Sequence, residues 1–352
     1  MARTAGIAGA GLAGRMLALS LLKDGWKVSL FDRDGKEGKK SCGYTAGGML
    51  SLYSEAESIG DLVVELGYRS TELWPKVLRD MGASSCLKMS GSLIVAHAED
   101  LTDLERKRKM IERRFTGLFN ELHITNNVYE FERELSVPYV MHVRGEGCVD
   151  SLAFFRCLED ALVYGGVEWY SNTNVISVSG GKIVSADSEY TFDYVFDCRG
   201  IGAKHDIPGL RGVRGEAMIL HAPHVTIKHV IRMMHPRYSV YVVPRPGKIF
   251  LIGASEIESC DFSEVSVRSV LEMLSAVYSL HRGFAEARIK EMLSACRPAF
   301  LDNLPRVLWS DRVVRINGLY RYGYLSMPAI IEDVMTVLNG SSARYKTLHF
   351  TE

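Results

Sequence analysis

The sequence predicts an α/β fold in which a Rossmann-like dinucleotide-binding domain is interleaved with a sheet-rich second domain. Three observations support this prediction. A glycine-rich turn at residues 6–14 lies near the amino terminus and leads into an amphipathic helix, as in dinucleotide-binding folds. A second apolar strand ends in another glycine-rich turn at residues 194–203. Between residues 217 and 254 short strands follow each other without helices, which is typical of a separate sheet.

The first turn contains the pattern G-x-G-x-x-G at Gly9, Gly11 and Gly14. The first glycine permits a tight turn, the second lets a pyrophosphate approach the backbone, and the third packs helix against strand. Apolar spacing predicts a helix over residues 12–24, and the strand after it ends at Asp32. A carboxylate there accepts both ribose hydroxyls of an adenosine and repels a 2′-phosphate. The sequence therefore favours FAD or NAD over NADP.

The composition describes a neutral protein that is large enough for two domains. The chain has 352 residues, of which 47% are hydrophobic, and single domains usually contain about 100–200 residues. Lys plus Arg and Asp plus Glu both number 42, so the formal net charge is zero. Because no overall field attracts polyanions, we expect no nucleic-acid partner and no membrane partner. The basic run at residues 106–114 is interpreted as a solvated helix face.

The 7 cysteines indicate reduced thiols. They show no C-x-x-C spacing, and their odd number argues against a complete set of disulfides. We find no secretory leader and no apolar run of membrane-spanning length, so the expected location is the cytoplasm. No H-E-x-x-H or comparable pattern predicts a metal site. The sequence does not determine the oligomeric state.

Small side chains follow Asp32, and helices and strands then alternate. Residues 35–48 contain little that could fill a core, so their backbone can approach a flat group such as an isoalloxazine ring. A mobile glycine loop is the alternative interpretation. Periodicity predicts helices over residues 59–81 and 101–122, and strands over residues 87–98 and 137–143.

The second half of the chain is expected to return to the nucleotide-binding domain and then to build the second sheet. Asp150 and Ser151 predict the cap of a helix over residues 152–163. The remaining strands are predicted at residues 167–170, 174–178, 194–198, 217–220, 225–233, 239–243 and 249–254, and a helix at 265–278. Pro328 fits the first position of a last helix, which continues over residues 330–338.

Further motifs lie along the chain in a fixed order, at residues 46–50, 214–216, 241–245, 252–254, 296–298 and 318–323. With the first turn and Asp32, they resemble the FAD-dependent D-amino-acid oxidase and glycine oxidase superfamily, especially bacterial glycine oxidases associated with thiamin-thiazole synthesis. The resemblance covers nearly the whole chain. It implies that residues 1–84, 141–213 and 306–352 form the FAD-binding domain, and that residues 85–140 and 214–305 form the substrate domain.

The resemblance assigns substrate-facing roles to several residues. Arg297 occupies the position of the arginine that binds the substrate carboxylate, and a planar guanidinium suits a bidentate contact. An internal ion pair with a carboxylate such as Asp302 is the alternative interpretation. The other positions that would face flavin or substrate are Tyr241, Tyr53, Glu256 and Arg321.

The same resemblance implies which residues contact FAD. They are Gly9, Gly11, Leu12, Ala13, Gly14, Asp32, Arg33, Ser41, Cys42, Thr45, Ala46, Gly47, Gly48, Met49, Val175, Cys198, Arg199, Gly200, Arg297, Gly323, Tyr324, Leu325 and Ser326. Near the last of these, a helix start would face the flavin N1/O2 edge, where its partial positive charge stabilises an anionic reduced flavin. Leu319 departs from the family, which often has a histidine there, so the substrate stays open.

Three functions are compatible with these features. The leading one is an FAD oxidoreductase in which a small amine or amino acid such as glycine gives hydride to flavin N5, the imine hydrolyses, and dioxygen reoxidises the flavin with release of hydrogen peroxide. The second is a flavoprotein maturation enzyme that acts on a quinoprotein precursor to build a tryptophan-derived quinone, cysteine tryptophylquinone. The third, a non-catalytic dinucleotide-binding regulator, leaves Arg297 unexplained.

Overall fold

The computed structural model describes residues 2–117, 122–234 and 240–351. In chain order the strands are β1 Thr4–Ala8, β2 Lys27–Phe31, β3 Met49–Leu50, β4 Leu87–Lys88, β5 Ser92–Ala96, β6 Ile124–Thr125, β7 Tyr139–Val143, β8 Gly147–Val149, β9 Glu168–Tyr170, β10 Val175–Ser179, β11 Lys182–Ser185, β12 Glu189–Thr191, β13 Tyr194–Asp197, β14 Arg211–His221, β15 Val230–Met233, β16 Val240–Arg245, β17 Ile249–Gly253, β18 Arg288–Ala299, β19 Arg306–Ser310, β20 Val313–Asn317 and β21 His349–Thr351. The α-helices are α1 Leu12–Lys23, α2 Cys42–Thr45, α3 Asp61–Asp80, α4 Leu101–Arg114, α5 Ser151–Tyr164, α6 Val267–Leu280 and α7 Gly323–Leu338.

Two large sheets organise the chain, and the predicted α/β fold is confirmed. The seven-stranded sheet has the order β21-β19-β20-β13-β1-β2-β9, with β1 parallel to both β2 and β13. The eight-stranded sheet has the order β18-β14-β17-β16-β15-β5-β7-β6 and is mostly antiparallel. Smaller sheets, β10-β11-β12 and β3-β8-β4, complete the described strands. The predicted domain boundaries stay a prediction, and β7 and β14 cross two of them.

The first turn is compact because its glycines lie where side chains do not fit. Gly9 has φ +96°, and a Cβ atom there would lie 2.5 Å from the Cys198 carbonyl oxygen. A Cβ atom at Gly14 would lie only 1.9 Å from the Gly9 carbonyl oxygen. Helix α1 can therefore lie directly against the end of β1, and its apolar face joins the core that α5 and α7 share.

The last helix begins earlier than the sequence predicts. Helix α7 starts at Gly323, so Pro328 lies inside it and not at its first position. An interior proline leaves the carbonyl four residues earlier without its helical donor, here the carbonyl of Tyr324. The indole Nε1 of the buried Trp74 donates to this carbonyl oxygen at 2.8 Å. Tertiary packing supplies the bond that the helix lacks, and the helix continues.

Other predicted elements are shortened. The strand expected at residues 87–98 is divided into β4 and β5, because Gly91, with φ +86°, turns the chain between them. The strand expected at 225–233 is confined to β15, since a turn in which the Val225 N–H donates to the Ala222 carbonyl precedes it. Helix α4 ends at Arg114, and residues 118–121 and Ser239 lie outside the described ranges.

Candidate active site

A cavity of about 350 Å³ lies between the two large sheets. One side is formed by loops at the carboxyl ends of β1, β2, β13 and β20, where ligands bind in open α/β sheets. The other side is formed by side chains of β14, β15, β16 and β18. The two glycine-rich turns of the sequence therefore meet at one cavity.

Helix α1 begins at this cavity without a side-chain cap. Gly11 is its N-cap residue, and Leu12 and Ala13 of its first turn line the cavity. The free N–H groups of a first helical turn bind anions such as phosphate. A Cβ atom at Gly11 would have no protein atom nearer than 3.9 Å, so the space in front of the turn is open.

The Asp32 carboxylate is held in a fixed orientation beside the turn. The backbone N–H groups of Ala10 and Asp34 donate to its two oxygens, at 2.5 and 2.8 Å. Both Asp32 and Arg33 line the cavity. A carboxylate in this position can accept hydrogen bonds from ribose hydroxyls.

The second turn is braced by Arg199. Its guanidinium donates to both oxygens of the buried Asp197, at 2.6 and 2.9 Å, to Asp206, and to the Val175 carbonyl at 3.3 Å. Burial opposes the charge of this guanidinium, but its hydrogen bonds with the two aspartates raise the pKa of Arg199. Arg199 thus holds the turn, whose Gly200 lines the cavity.

The small-residue segment that ends with β3 forms another part of the wall. Gly48 has φ +64°, and a Cβ atom there would lie 2.0 Å from the Val149 carbonyl oxygen. Arg245 of β16 reaches across and donates to the carbonyls of Gly47, at 2.7 Å, and Val149, at 3.2 Å. This buried arginine, which sequence reasoning did not select, fixes the segment to the eight-stranded sheet.

Tyr241 lines the opposite wall. A Cβ atom at Gly253 would lie 2.6 Å from the Tyr241 hydroxyl oxygen, and one at Gly47 would lie 3.2 Å from the ring. Burial raises the pKa of Tyr241, so its hydroxyl is neutral and can donate at neutral pH. The absence of side chains at these two glycines leaves room for the Tyr241 ring.

Arg297 projects from β18 into the cavity. Its Nη1 donates to the Ser255 carbonyl oxygen at 3.1 Å, and no carboxylate within the described ranges pairs with it. Asp302, the alternative partner, instead accepts from Arg306 at 2.9 Å. A Cβ atom at Gly215 would lie 2.3 Å from Arg297 Nη2. The guanidinium therefore fits in this position only because residue 215 has no side chain.

A chain of ion pairs lines the same cavity as Arg297. Arg321 contacts Glu55 at 2.7 Å and Glu256 at 3.0 Å, and Arg232 contacts the other oxygen of Glu55 at 2.6 Å. The Tyr320 hydroxyl also donates to Glu256. All five residues line the cavity. The sequence predicts Glu256 and Arg321 as site residues. It does not identify Glu55 and Arg232, which connect Arg321 to the eight-stranded sheet.

Glu55 is ionised in this chain of ion pairs. Burial would raise its pKa, but the guanidinium groups of Arg232 and Arg321 outweigh that effect and lower the pKa of Glu55 to about 2. No local motif marks Glu55 or Arg232, because their pairing depends on strands and loops that are distant in sequence. The only sequence feature that points to this region is Tyr53, two residues before Glu55, which the family resemblance places at the flavin or substrate.

A second helix start faces the cavity. Helix α7 has no side-chain cap at Tyr322, and Gly323, Tyr324 and Leu325 of its first turn line the cavity. The partial positive charge of a helix N-terminus stabilises a negative group placed there. Leu319 lines the cavity as well.

Most of the residues selected from the sequence meet at this cavity. Those that line it are Gly9, Gly11, Leu12, Ala13, Asp32, Arg33, Ser41, Cys42, Thr45, Ala46, Gly47, Gly48, Met49, Val175, Cys198, Arg199, Gly200, Tyr241, Glu256, Arg297, Arg321, Gly323, Tyr324 and Leu325.

Three selected residues, Gly14, Ser326 and Tyr53, are not among the lining residues. Gly14 packs against Gly9, and Ser326 is buried inside α7. The Tyr53 ring packs edge-on against Phe115, at 5.0 Å between ring centroids. These three roles stay predictions, as do the roles at the cofactor or substrate of the selected residues that line the cavity.

The described residues provide neither a metal site nor a membrane-spanning helix. Among the described residues, no group of three or more His, Cys, Asp or Glu side chains could hold a metal ion. Within the same ranges no helix is long and apolar enough to cross a membrane. All 7 cysteines are free thiols.

The sequence model of the family described as "FAD dependent oxidoreductase" matches residues 5–334. The chain belongs to this family. A relative from Rhizobium etli, the oxidoreductase ThiO, named for thiamine biosynthesis, is 34% identical over 332 residues, which cover 93% of each chain. The chain is thus an FAD-dependent oxidoreductase, and its interpretation as a non-catalytic regulator is wrong.

Solved structures show the same fold. Glycine oxidase from Geobacillus kaustophilus has a TM-score of 0.84 at 22% identity, covering 97% of this chain and 96% of that one. Iminodiacetate oxidase from Chelativorans sp. BNC1 has a TM-score of 0.83 at 20% identity, covering 99% of both chains. L-α-Glycerophosphate oxidase from Mycoplasma pneumoniae, a structure with FAD bound, has a TM-score of 0.75 at 16% identity, covering 100% of this chain and 99% of that one.

The residues of the cavity fit the family's cofactor, FAD. The uncapped first turn of α1 offers N–H groups for a pyrophosphate, in front of the open space at Gly11. Asp32 presents fixed acceptors for a ribose. The uncapped first turn of α7 would hold the negatively polarised edge of the flavin.

Proposed function

We propose that this FAD-dependent oxidoreductase oxidises a small amine or amino acid, such as glycine, and that dioxygen accepts the electrons. The observation that carries the proposal is Arg297, a guanidinium in the cavity with a backbone carbonyl as its hydrogen-bond partner and no carboxylate paired with it among the described residues. A half-buried cation of this kind binds a substrate carboxylate by charge-assisted hydrogen bonds.

The residues of the chain orient the substrate. Arg297 would bind its carboxylate, and the neutral Tyr241 hydroxyl on the same side of the cavity would donate a second hydrogen bond. The sheets on both sides limit the access of water and hold the amine carbon in one orientation. When bound, FAD would supply the acceptor for hydride, at N5 of its ring. The product imine then hydrolyses in water.

Such a reaction needs no acid or base side chain beside the substrate carbon, provided that the amine binds in its neutral form. Its rate depends on orientation and on the electrostatic environment of the flavin. The start of α7 would provide that environment by stabilising negative charge that develops on the ring. Arg297, Tyr241 and the start of α7 are the features that support the proposed chemistry.

The test is a spectroscopic titration. The purified, FAD-loaded protein is mixed without oxygen with glycine, sarcosine or a small D-amino acid, and the flavin absorbance is followed. We expect the oxidised flavin to bleach, and air to restore it with release of hydrogen peroxide. A broad panel of amines that leaves the absorbance unchanged, together with tight binding to a quinoprotein precursor, would overturn the proposal in favour of the maturation enzyme.

The named relatives support the small-substrate proposal more than the maturation enzyme. Two of them are named as oxidases of glycine and of iminodiacetate, which are small amines with carboxylates. We also propose a cytoplasmic location, which the free thiols support.

A further inference from the structure

Five charged side chains, one of them that of Arg297, form a group in the cavity. Three guanidinium groups, those of Arg232, Arg297 and Arg321, and two carboxylates, those of Glu55 and Glu256, line this part of the cavity. Glu55 uses one oxygen for Arg232, at 2.6 Å, and the other for Arg321, at 2.7 Å. Both carboxylates are paired with Arg232 or Arg321, so the Arg297 guanidinium has no paired carboxylate among the described residues.

The two residues that precede Glu55 are anchored to a buried carboxylate. The buried Glu146 accepts from the backbone N–H groups of Tyr53 and Ser54, at 2.7 and 2.6 Å, and from the Ser54 hydroxyl at 2.6 Å. The side chain of Glu55 is 11% exposed, and those of Arg232 and Arg321 are 12% and 29% exposed. Such a buried and anchored group does not leave its partners without a large loss of electrostatic stabilisation.

We propose that Glu55 restricts the site to substrates with a single carboxylate, because it occupies the two arginines that could bind a second one. Arg297 then binds the only carboxylate that the cavity accepts. A second carboxylate on the substrate would lie beside the ionised Glu55, and like charges at short range in a buried site repel strongly. The inference deepens the proposed function and rests on it for the identity of the substrate class.

The decisive variant is Glu55→Gln, which keeps the shape of the side chain and removes its charge. Acetate and malonate serve as probes because neither is an amine, and their dissociation constants are measured from the absorbance change of the bound flavin. We expect the preference for malonate over acetate to rise about tenfold or more in the variant, since Arg232 and Arg321 gain an uncompensated charge. An unchanged preference in a folded, FAD-loaded variant would overturn the inference.

Two further variants keep the test decisive. Arg232→Gln leaves Glu55 partly unpaired, so we expect the preference for malonate to fall. If it rises or stays constant, the inference is wrong even where Glu55→Gln does not fold. The matched control is Glu132→Gln, a buried carboxylate outside the cavity that accepts from His229 Nδ1 at 2.7 Å, and it should leave the preference unchanged.

Turnover gives an independent comparison. Sarcosine and iminodiacetate differ by one carboxylate on the amine substituent, so their ratio of kcat/KM reports the same discrimination in the reaction. We expect this ratio to shift towards iminodiacetate by about tenfold in Glu55→Gln. If no amine is oxidised but the malonate preference still rises, the proposed function fails and the selection of anions by Glu55 stands.

Discussion

Gly215 controls the position of Arg297, and its replacement by alanine tests the role of that arginine without removing it. An added Cβ atom would lie 2.3 Å from Nη2 and 2.5 Å from Cζ of Arg297. Contacts this short do not persist, so one group has to move. The guanidinium is the end of a flexible side chain, whereas Gly215 lies in the middle of the β14–β18 pairing. We therefore expect the arginine to move and the sheet to stay.

The magnitude follows from the bonds that the displaced guanidinium would lose. A hydrogen bond to a charged group contributes about 1.5–3 kcal/mol. If Gly215→Ala misaligns the contact with the substrate carboxylate, kcat/KM should fall roughly tenfold to hundredfold, as it should in Arg297→Ala. Steady-state kinetics with the best amine substrate measure the loss, and the flavin absorbance shows whether FAD content is unchanged.

The double variant Gly215→Ala/Arg297→Ala is the control. If the methyl group acts only through the guanidinium, the double variant should be no less active than Arg297→Ala alone. Losses that add on a logarithmic scale would show that Gly215 acts elsewhere. An unchanged KM for every active carboxylate substrate in both single variants would remove Arg297 from the site.

Three other changes test separate parts of the structure. Gly11→Val should fold but lose its bound FAD and yellow colour, since the valine fills the open space before α1; stoichiometric FAD would contradict this. Trp74→Phe leaves the Tyr324 carbonyl unpaired, and denaturant unfolding should show a loss of about 1–3 kcal/mol, whereas a change below about 0.5 kcal/mol would refute the bond. Because the pKa of Glu55 is lowered from 4.5 to about 2, its contribution is complete above pH 4.5 and is lost as the pH falls through about 2. The stability difference between wild type and Glu55→Gln should therefore shrink in that range, and a constant difference would argue against the ion pairs.

The features that the sequence predicts correctly are determined by residues that are close to each other in the chain. The turn at Gly9 and the acid at Asp32 follow from one strand, one helix and the next strand, and these elements lie as predicted. Arg297 was found through a motif on a single strand and lies in the cavity. In each case the residues that determine the position are neighbours in the chain, or repeat with a regular period.

What the sequence did not predict depends on contacts between distant elements. Pro328 marks a helix start by its own preferences, and only the indole of Trp74 explains why it lies inside α7. Glu55 and Arg232 have no distinctive local pattern, although their ion pair lies in the cavity. Tyr53, the neighbour that was selected, packs against Phe115 instead. Side-chain direction over such distances is set by packing, which a single sequence does not specify.

Arg245 has a consequence for the exchange of the cofactor. It belongs to the eight-stranded sheet but is bonded to the carbonyl of Gly47, on the small-residue wall of the cavity, and to that of Val149 in β8, which contacts this wall at Gly48. The wall cannot swing away as a hinged flap while these buried bonds hold. FAD should consequently dissociate slowly, through local fluctuation of the turns and not through separation of the sheets. In Arg245→Lys, which cannot reproduce both bonds in one plane, the flavin fluorescence of released cofactor should appear faster than in the wild type, and equal rates would show that the route of exit lies elsewhere.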